Sequence, residues 1–257
     1  SGRLPSIYRL CALVGIFILG LVLRLHETTE SRGSPLDVTL VQGAIPQEIK
    51  WHPDIRQPSI KRYRSISADH WDSDIIIWPE TAIPAFRNEV REELRELGSL
   101  ASKTGTNFLL GVPRISNETG LKYNSIVSIG DLEQVYDKRH LVPFGEYLPA
   151  VPYLSWLFDY LDIPMSDFSS GSGSQALLEF PSYKIGASIC YESVFPDLIN
   201  RKAAESDFLV NLSNDAWFGD SLGPHQHLQI ARTRALENGR YLVRATNNGL
   251  TAIINHK

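Results

Sequence analysis

The sequence is poor in sulfur and has no surplus of positive charge. Two cysteines stand among 257 residues, too few for a disulfide scaffold. Their surroundings differ: Cys11 lies in an apolar run near the start, Cys190 between a strand-like segment and acidic residues, so they are not expected to pair. A formal charge of -4, with no finger, basic-helix or RNA-binding signature, leaves no footprint for nucleic acid, and none is expected as a partner. Charged residues make up 21% against 43% hydrophobic, which excludes a disordered chain. The length allows one large domain with an appendage.

Long uncharged apolar runs are scarce too. The one present, Leu10 to Leu23, lies between Arg9 and Arg24. It falls short of the roughly 20 residues a bilayer asks for, but Ile7, Tyr8 and Leu25 extend it and the arginines can snorkel outward. A membrane-spanning helix is the expectation; a signal-peptide core and a buried core helix are the competing readings. No small-residue cleavage site follows, and "RLHETTESRGSP" reads as polar linker. Arg3 and Arg9 before the run, with Arg24 and Arg32 after it beside Glu27 and Glu30, favour a cytoplasmic N-terminus. The opening "SGRLPS" has no methionine, which suggests a fragment or processed chain. Residues 1–36 are therefore taken as a membrane segment and linker, and 37–257 as the globular domain.

From Asp37 on, short β-rich runs end in turn residues: Asp37–Gly43, Asp74–Glu80, Asn107–Val112, Tyr123–Gly130, Lys184–Cys190, Asp207–Asn214 and Tyr241–Asn248. Helical patterns lie between several of them. Val90, Leu94, Leu97 and Ala101 keep helical spacing up to a stop at Gly105, and the charges of "REELRE" read as the solvated face of that helix. Near-continuous apolar strands such as "DIIIW" imply burial on both faces, whereas "YNSIVSIG" alternates, so an α/β protein with mixed sheets is expected. Glu80, Cys190 and Asn214 close strands, where open α/β sheets build their sites. The "FSSGSGSQ" stretch, Phe168 to Gln175, is either a plain loop or part of a mobile lid. The aromatic residues before it (Tyr153, Trp156, Phe158 and Tyr160, with Leu157) would meet an acyl chain or cap the core.

A cysteine becomes a nucleophile when a neighbour takes its proton and favours the thiolate, because a free thiol has a pKa of about 8.5. Glu80, Lys138 and Glu146 are candidates in suitable settings. A carboxylate can act as base and then acid, and a lysine can stabilise an oxyanion. Spacing alone does not link such scattered residues. Other polar groups read as structural: His225 and His227 lack a third metal ligand and fit a loop or helix start, His140 is structural, Trp78 and Trp217 belong to core or pocket wall, and Asn247–Gly249 is a turn.

The wording around these residues is more specific. "WPETAIP" at Glu80, "YDKRHLVPFGEYLP" at Lys138 and "CYESVFP" at Cys190, followed by "NLSNDAWFGDSLGPHQHLQIARTRALENGRYLVRATNNG", resemble in order the nitrilase, or carbon-nitrogen hydrolase, superfamily, and within it the apolipoprotein N-acyltransferases. The resemblance implies an α-β-β-α sandwich with mixed sheets, preceded here by one candidate transmembrane helix. It makes Cys190 the nucleophile, Glu80 the general base and acid, and Lys138 the stabiliser of the intermediate. The Tyr191 backbone N–H would complete an oxyanion hole, Glu146 would orient Lys138 or the thiol, and Glu192 would help shape the site. The implied reaction moves a fatty acyl group from a phospholipid, through a cysteine thioester, to the N-terminal amine of a diacylated lipoprotein. It requires no metal or organic cofactor and takes place at the bacterial inner membrane, with the catalytic domain on the periplasmic side. That family carries more transmembrane helices than this sequence offers, and a further helix after the domain, so a chain truncated at its C-terminal end is expected. A soluble C–N hydrolase of small amides or nitriles is the alternative. A binding module that has lost its chemistry fits less well, because all three triad positions are filled.

Overall fold

Alternating side-chain direction along each strand gives the apolar runs two faces to bury. The computed structural model describes residues 6–25, 29–31, 33–147 and 167–257, in two units, Ser1–Pro35 and Leu36–Lys257. The expected aromatic lid residues Tyr153, Trp156, Leu157, Phe158 and Tyr160 lie outside the described residues.

The first unit is one helix, α1 (Ser6–Leu25). Its Ser6–Leu23 window of 18 residues has a mean hydropathy of 2.3, long and apolar enough to cross a membrane. The side chains of that window are all exposed within this unit.

In the second unit, β1 (Val38–Leu40) is followed by a short turn of helix, α2 (Gln47–Lys50), and by α3 (Arg56–Ser67). Next come β2 (Ile75–Ile77), α4 (Arg91–Thr104) and β3 (Asn107–Gly111). The ribbon β4 (Arg114–Ile115) and β5 (Lys122–Tyr123) leads to β6 (Ser125–Ile129) and β7 (Gln134–Asp137). The second half runs β8 (Leu178–Phe180), β9 (Tyr183–Ile189), α5 (Pro196–Glu205), β10 (Phe208–Ser213), α6 (Gly223–Asn238), β11 (Leu242–Thr246) and β12 (Ala252–Ile254).

Two mixed sheets result, ordered β1-β2-β3-β6-β7 and β12-β11-β10-β9-β8. Within each, three strands run parallel (β1, β2, β3 and β9, β10, β11) and the others pair antiparallel. Ile75, Ile77, Leu109 and Ile126 of the first sheet pack with Ile185, Ala187, Val210 and Val243 of the second. The opposite face of the first sheet, through Ile76, Phe108 and Leu110, packs on Ile60 and Tyr63 of α3 and Leu94, Leu97 and Ala101 of α4. Leu209 and Leu242 of the second sheet pack on Ile199, Ala203, Ala231 and Ala235 of α5 and α6. These layers form the expected α-β-β-α sandwich, with three consecutive isoleucines feeding two cores.

Helix α4 follows its pattern: Val90, Leu94, Leu97 and Ala101 are buried, and Gly105 ends the helix in the left-handed region at φ 73°. Strand β6 departs from the sequence reading. Its alternation does not mark a solvent face, because all five residues are buried. Ser125 and Ser128 are satisfied there by Asp137 Oδ1 at 2.7 Å and Leu132 O at 2.5 Å.

One glycine ties the fold to the residues after β2. A Cβ on Gly111 would stand 2.5 Å from Pro79 O and 2.6 Å from Glu80 Cα, both backbone atoms that cannot move aside cheaply. Gly111→Ala is expected to cost about 1–3 kcal/mol of stability, the usual cost of overpacking, and to displace the Glu80 turn. A thermal melt together with a rate of Cys190 modification tests this.

Candidate active site

Of the three strand-end positions that the sequence marks, Cys190 itself and the neighbour of Glu80 sit on unusual backbone. Cys190 directly follows β9 and has φ 49°, and Thr81, next to Glu80, has φ 46°. A left-handed conformation at a non-glycine residue costs about 1–2 kcal/mol, so the surroundings must hold it. The Cys190 carbonyl faces His227 Nε2 at 3.1 Å and accepts from Asn211 Nδ2 at 3.4 Å. Lys50 Nζ donates to Thr81 Oγ1 at 2.6 Å and to the Glu80 carbonyl at 3.3 Å.

Lys138, immediately after β7, is fully buried. Its Nζ lies 3.3 Å from Glu80 Oε1, 2.9 Å from Glu146 Oε1 and 2.8 Å from Glu146 Oε2. Burial presses the ammonium toward losing its proton, but Glu80 and Glu146 outweigh it and raise the lysine above its ordinary value. Lys138 is thus a fixed cation between two buried carboxylates. Asn124 Nδ2 joins the same pair, 2.8 Å from Glu80 Oε1 and 2.8 Å from Glu146 Oε1. The Val142 N–H donates to Glu146 Oε2 at 2.8 Å. Each hydrogen bond to a charged group is worth about 1.5–3 kcal/mol, so Asn124→Leu is expected to slow the chemical step about ten- to hundredfold, measured as kcat with the melting temperature checked alongside.

The Cys190 thiol is pushed up to about 12, first by burial and then by the Glu80 charge, while Lys138 and a hydrogen bond from Ser213 pull it partly back. The resting group is a protonated thiol that needs a base at the moment of attack. Glu80 and Lys138 both act on this thiol electrostatically, so Glu80, Lys138, Glu146 and Cys190 share one buried site.

Glu192 and Tyr191 lie in the one-turn helix Cys190–Val194. The Tyr191 N–H is in its first turn, where no acceptor exists within the turn, and the Tyr191 ring packs edge-on against Phe195 at 5.2 Å. Glu192 is completely buried. It accepts from the Ile189 N–H at 2.8 Å, the Arg139 N–H at 2.7 Å, the His140 N–H at 3.2 Å and the Tyr136 hydroxyl at 2.9 Å. One carboxylate therefore straps the residue before Cys190 to the residues after Lys138.

The stretch after the undescribed segment behaves as a loop pinned to the same strand end. Phe168 N–H donates to Glu146 O at 3.0 Å and Gly171 N–H to Lys138 O at 2.8 Å. The Gln175 side chain holds both the N–H and the C=O of Asp137, each at 2.7 Å. Trp217, read as core or pocket wall, is instead 60% exposed, whereas Trp78 is buried and donates Nε1–H to Ser67 Oγ at 2.8 Å. Asn247 is more than a turn residue: its side chain donates to Ile45 O at 2.8 Å and accepts from the Tyr63 hydroxyl at 3.0 Å.

His227 lies in the early turns of α6, as the helix-start reading expects, and is buried there against Asp215 Oδ1 at 2.9 Å and Ser193 Oγ at 3.0 Å. Cys190, Asp215 and His227 bring their ligand atoms within 4.8 Å of one another. Arg244 Nη2, however, sits 2.7 Å from Asp215 Oδ2 and 3.0 Å from His227 Nδ1, a fixed positive charge in the place a cation would need. Burial presses the Asp215 carboxyl up, but the His227 hydrogen bond and Arg244 hold it below its usual range. Asp215 and Arg244, with Lys50 and Asn124, were not singled out by the sequence; Arg244 meets Asp215 across 29 residues and Lys50 meets Glu80 across 30.

The carbon-nitrogen hydrolase family profile matches residues 37–256. The apolipoprotein N-acyltransferase of Methylococcus capsulatus is 47% identical over 229 residues, 89% of this chain and 45% of that protein. The apolipoprotein N-acyltransferase of Pseudomonas paraeruginosa is 43% identical over 248 residues, 95% of this chain and 48% of that protein. The chain thus spans about half the length of the curated relatives it matches. Among solved structures, a CN-hydrolase superfamily protein of Xanthomonas campestris with an arsenic adduct in its active site superposes with a TM-score of 0.62 at 20% identity, covering 87% of this chain and 84% of that one. An amidase of Nesterenkonia, carrying a covalently added acetamide moiety at its active-site cysteine, superposes with a TM-score of 0.56 at 16% identity over 90% and 86%. These two likenesses concern the fold.

Proposed function

Since the chain belongs to the carbon-nitrogen hydrolase family, we propose that residues 37–257 form a thiol acyltransferase domain that acylates the N-terminus of lipoproteins, tethered by the membrane segment within residues 1–36. The observation that carries this reading is the buried group of Glu80, Lys138 and Glu146, of which Glu80 and Lys138 act electrostatically on the Cys190 thiol at a left-handed turn. The choice of a transferase over a hydrolase rests on the relatives that are 43–47% identical to it over the aligned 229–248 residues and bear that name.

Cys190 gives its proton to Glu80 as its sulfur attacks the ester carbonyl of a phospholipid. Lys138 Nζ and the Tyr191 N–H stabilise the oxyanion. The C–O bond breaks, Glu80 returns the proton to the departing lysophospholipid oxygen, and a thioester remains. The α-amine of a diacylglyceryl-cysteine then attacks the thioester; Glu80 takes one amine proton, the C–S bond breaks and the thiolate is reprotonated. Glu146 and Glu192 hold Lys138 and the nucleophile's turn in register throughout, and no step calls for a metal or organic cofactor.

A lipid substrate accords with exposed apolar residues next to site residues in the chain: Ile49 and Trp51 beside Lys50, Phe144 near Glu146, Trp217 and Phe218 after Asp215. Together with α1 they suit a bacterial inner membrane, the domain on its periplasmic side. Incubating the detergent-solubilised protein with phosphatidylethanolamine and a diacylated lipopeptide bearing a free α-amine should yield an acyl amide and an equal amount of lysophospholipid. Release of ammonia from small amides, with no acyl transfer to the lipopeptide, would make it a hydrolase.

A further inference from the structure

Two carboxylates and one ammonium leave the site one positive charge short, and a second lysine is buried beside it. Lys50, the last residue of α2, is 1% exposed. Among the described residues its Nζ has two hydrogen-bond partners, Thr81 Oγ1 at 2.6 Å and the Glu80 carbonyl at 3.3 Å, neither of them charged. A buried ammonium without a paired carboxylate is rare. The segment that delivers it is anchored from the second sheet: Asn214 Nδ2 donates to Gln47 Oε1 at 2.7 Å, and Asn247 Oδ1 accepts from the Ile45 N–H at 3.1 Å.

We propose that Lys50 is a positioning residue for the nucleophile, the second cation of the site, which fixes the Glu80–Thr81 turn and whose charge lowers the cost of forming the Cys190 thiolate. With Lys50 charged, Lys138 and Lys50 balance Glu80 and Glu146. The titratable groups acting on Lys50 are Glu80 and Cys190; burial brings its ammonium down to about 8, against their opposing pull. It therefore stays charged at neutral pH, where its field favours the thiolate.

This inference rests on Cys190 as the nucleophile and not on the identity of the acyl donor, so its test uses the thiol alone. The full-length protein is treated with iodoacetamide between pH 6 and 10, and modification of Cys190 is followed by peptide mass spectrometry, which separates it from Cys11. Lys50→Gln keeps a hydrogen-bond donor and removes the charge, Lys50→Met removes both, and Lys50→Arg keeps both. In Lys50→Gln and Lys50→Met the rate at pH 7 should be about tenfold lower, and the deficit should shrink above about pH 8, where the Lys50 ammonium of the parent is itself lost, while Lys50→Arg keeps the parent's rate at pH 7. A role confined to holding the turn would lower the rate equally at every pH and leave Lys50→Gln near normal. A Lys50→Gln variant with an unchanged melting temperature and the parent's rate at pH 7, or with a deficit that is the same at pH 7 and pH 10, overturns the proposal. Because Lys50→Gln retains the hydrogen bonds, it decides the matter even where Lys50→Met fails to fold. Failure to form an acyl-enzyme with phospholipid would bear on the proposed function and leave this result standing.

Discussion

Replacing Lys138 with methionine removes acyl-enzyme formation and destabilises the domain at the same time. The ammonium lies between Glu80 and Glu146, all three buried. Without it, two carboxylates share the Asn124 amide with no ammonium between them, and their mutual repulsion pushes Glu80 away from the position in which it takes the thiol proton. Loss of the oxyanion's partner alone costs about 10²–10³ in rate, so with the base impaired the fall should exceed about 10³. Breaking a buried ion pair by removing one partner costs about 3–5 kcal/mol, which for a chain of this size lowers Tm on the order of 10 °C. Lys138→Arg keeps the charge and should recover much of the stability but little of the rate, because a planar guanidinium does not fit a site built for a compact ammonium. A Lys138→Met protein with normal Tm and an acylation rate within tenfold of the parent would contradict this.

Glu192→Ala should be as damaging without touching a reacting atom. It orphans the N–H groups of Ile189, Arg139 and His140 and the Tyr136 hydroxyl in one stroke. Each buried donor left unpaired costs about 1–3 kcal/mol, and water entering the cavity recovers part of it, so a net loss of about 3–5 kcal/mol is expected. The Lys202 ammonium, over the Tyr136 ring at 3.5 Å, is brought to about 7 by burial and is supported by the Glu192 charge, so it also loses its counterweight. Stability and acylation should fall together, and Glu192→Gln, which can still accept through one oxygen, should fall between. Thermal melts run beside acylation rates distinguish this from Cys190→Ala, which should abolish acylation while Tm stays close to that of the parent.

Much of the fold could be read ahead because its signals are local. Three consecutive isoleucines must bury both faces, and the spacing from Val90 to Ala101 closed by Gly105 has one helical solution. All seven β-rich runs contain strands. The short β4, β5, β7, β8 and β12 were passed over, since two to four residues such as Gln134–Asp137 leave too little pattern to detect. The site was readable at Glu80, Lys138 and Cys190 through wording, not spacing. Lys50, Asn124 and Arg244 could not be found that way: Lys50 meets Glu80 and Thr81 from 30 and 31 residues away, and Arg244 meets Asp215 across 29. Strand β6 shows what the alternation alone does not tell: it pairs antiparallel within a mixed sheet, and its serines are satisfied within the core.

The most direct measurement is the intact mass of the purified, detergent-solubilised protein after incubation with phosphatidylethanolamine, for the parent and for Cys190→Ala. The parent should gain the mass of one fatty acyl group, removable by hydroxylamine, and Cys190→Ala should gain nothing. A folded parent protein that stays unacylated, or a Cys190→Ala variant that acquires the same adduct, would contradict the assignment of Cys190 as the nucleophile of acyl transfer.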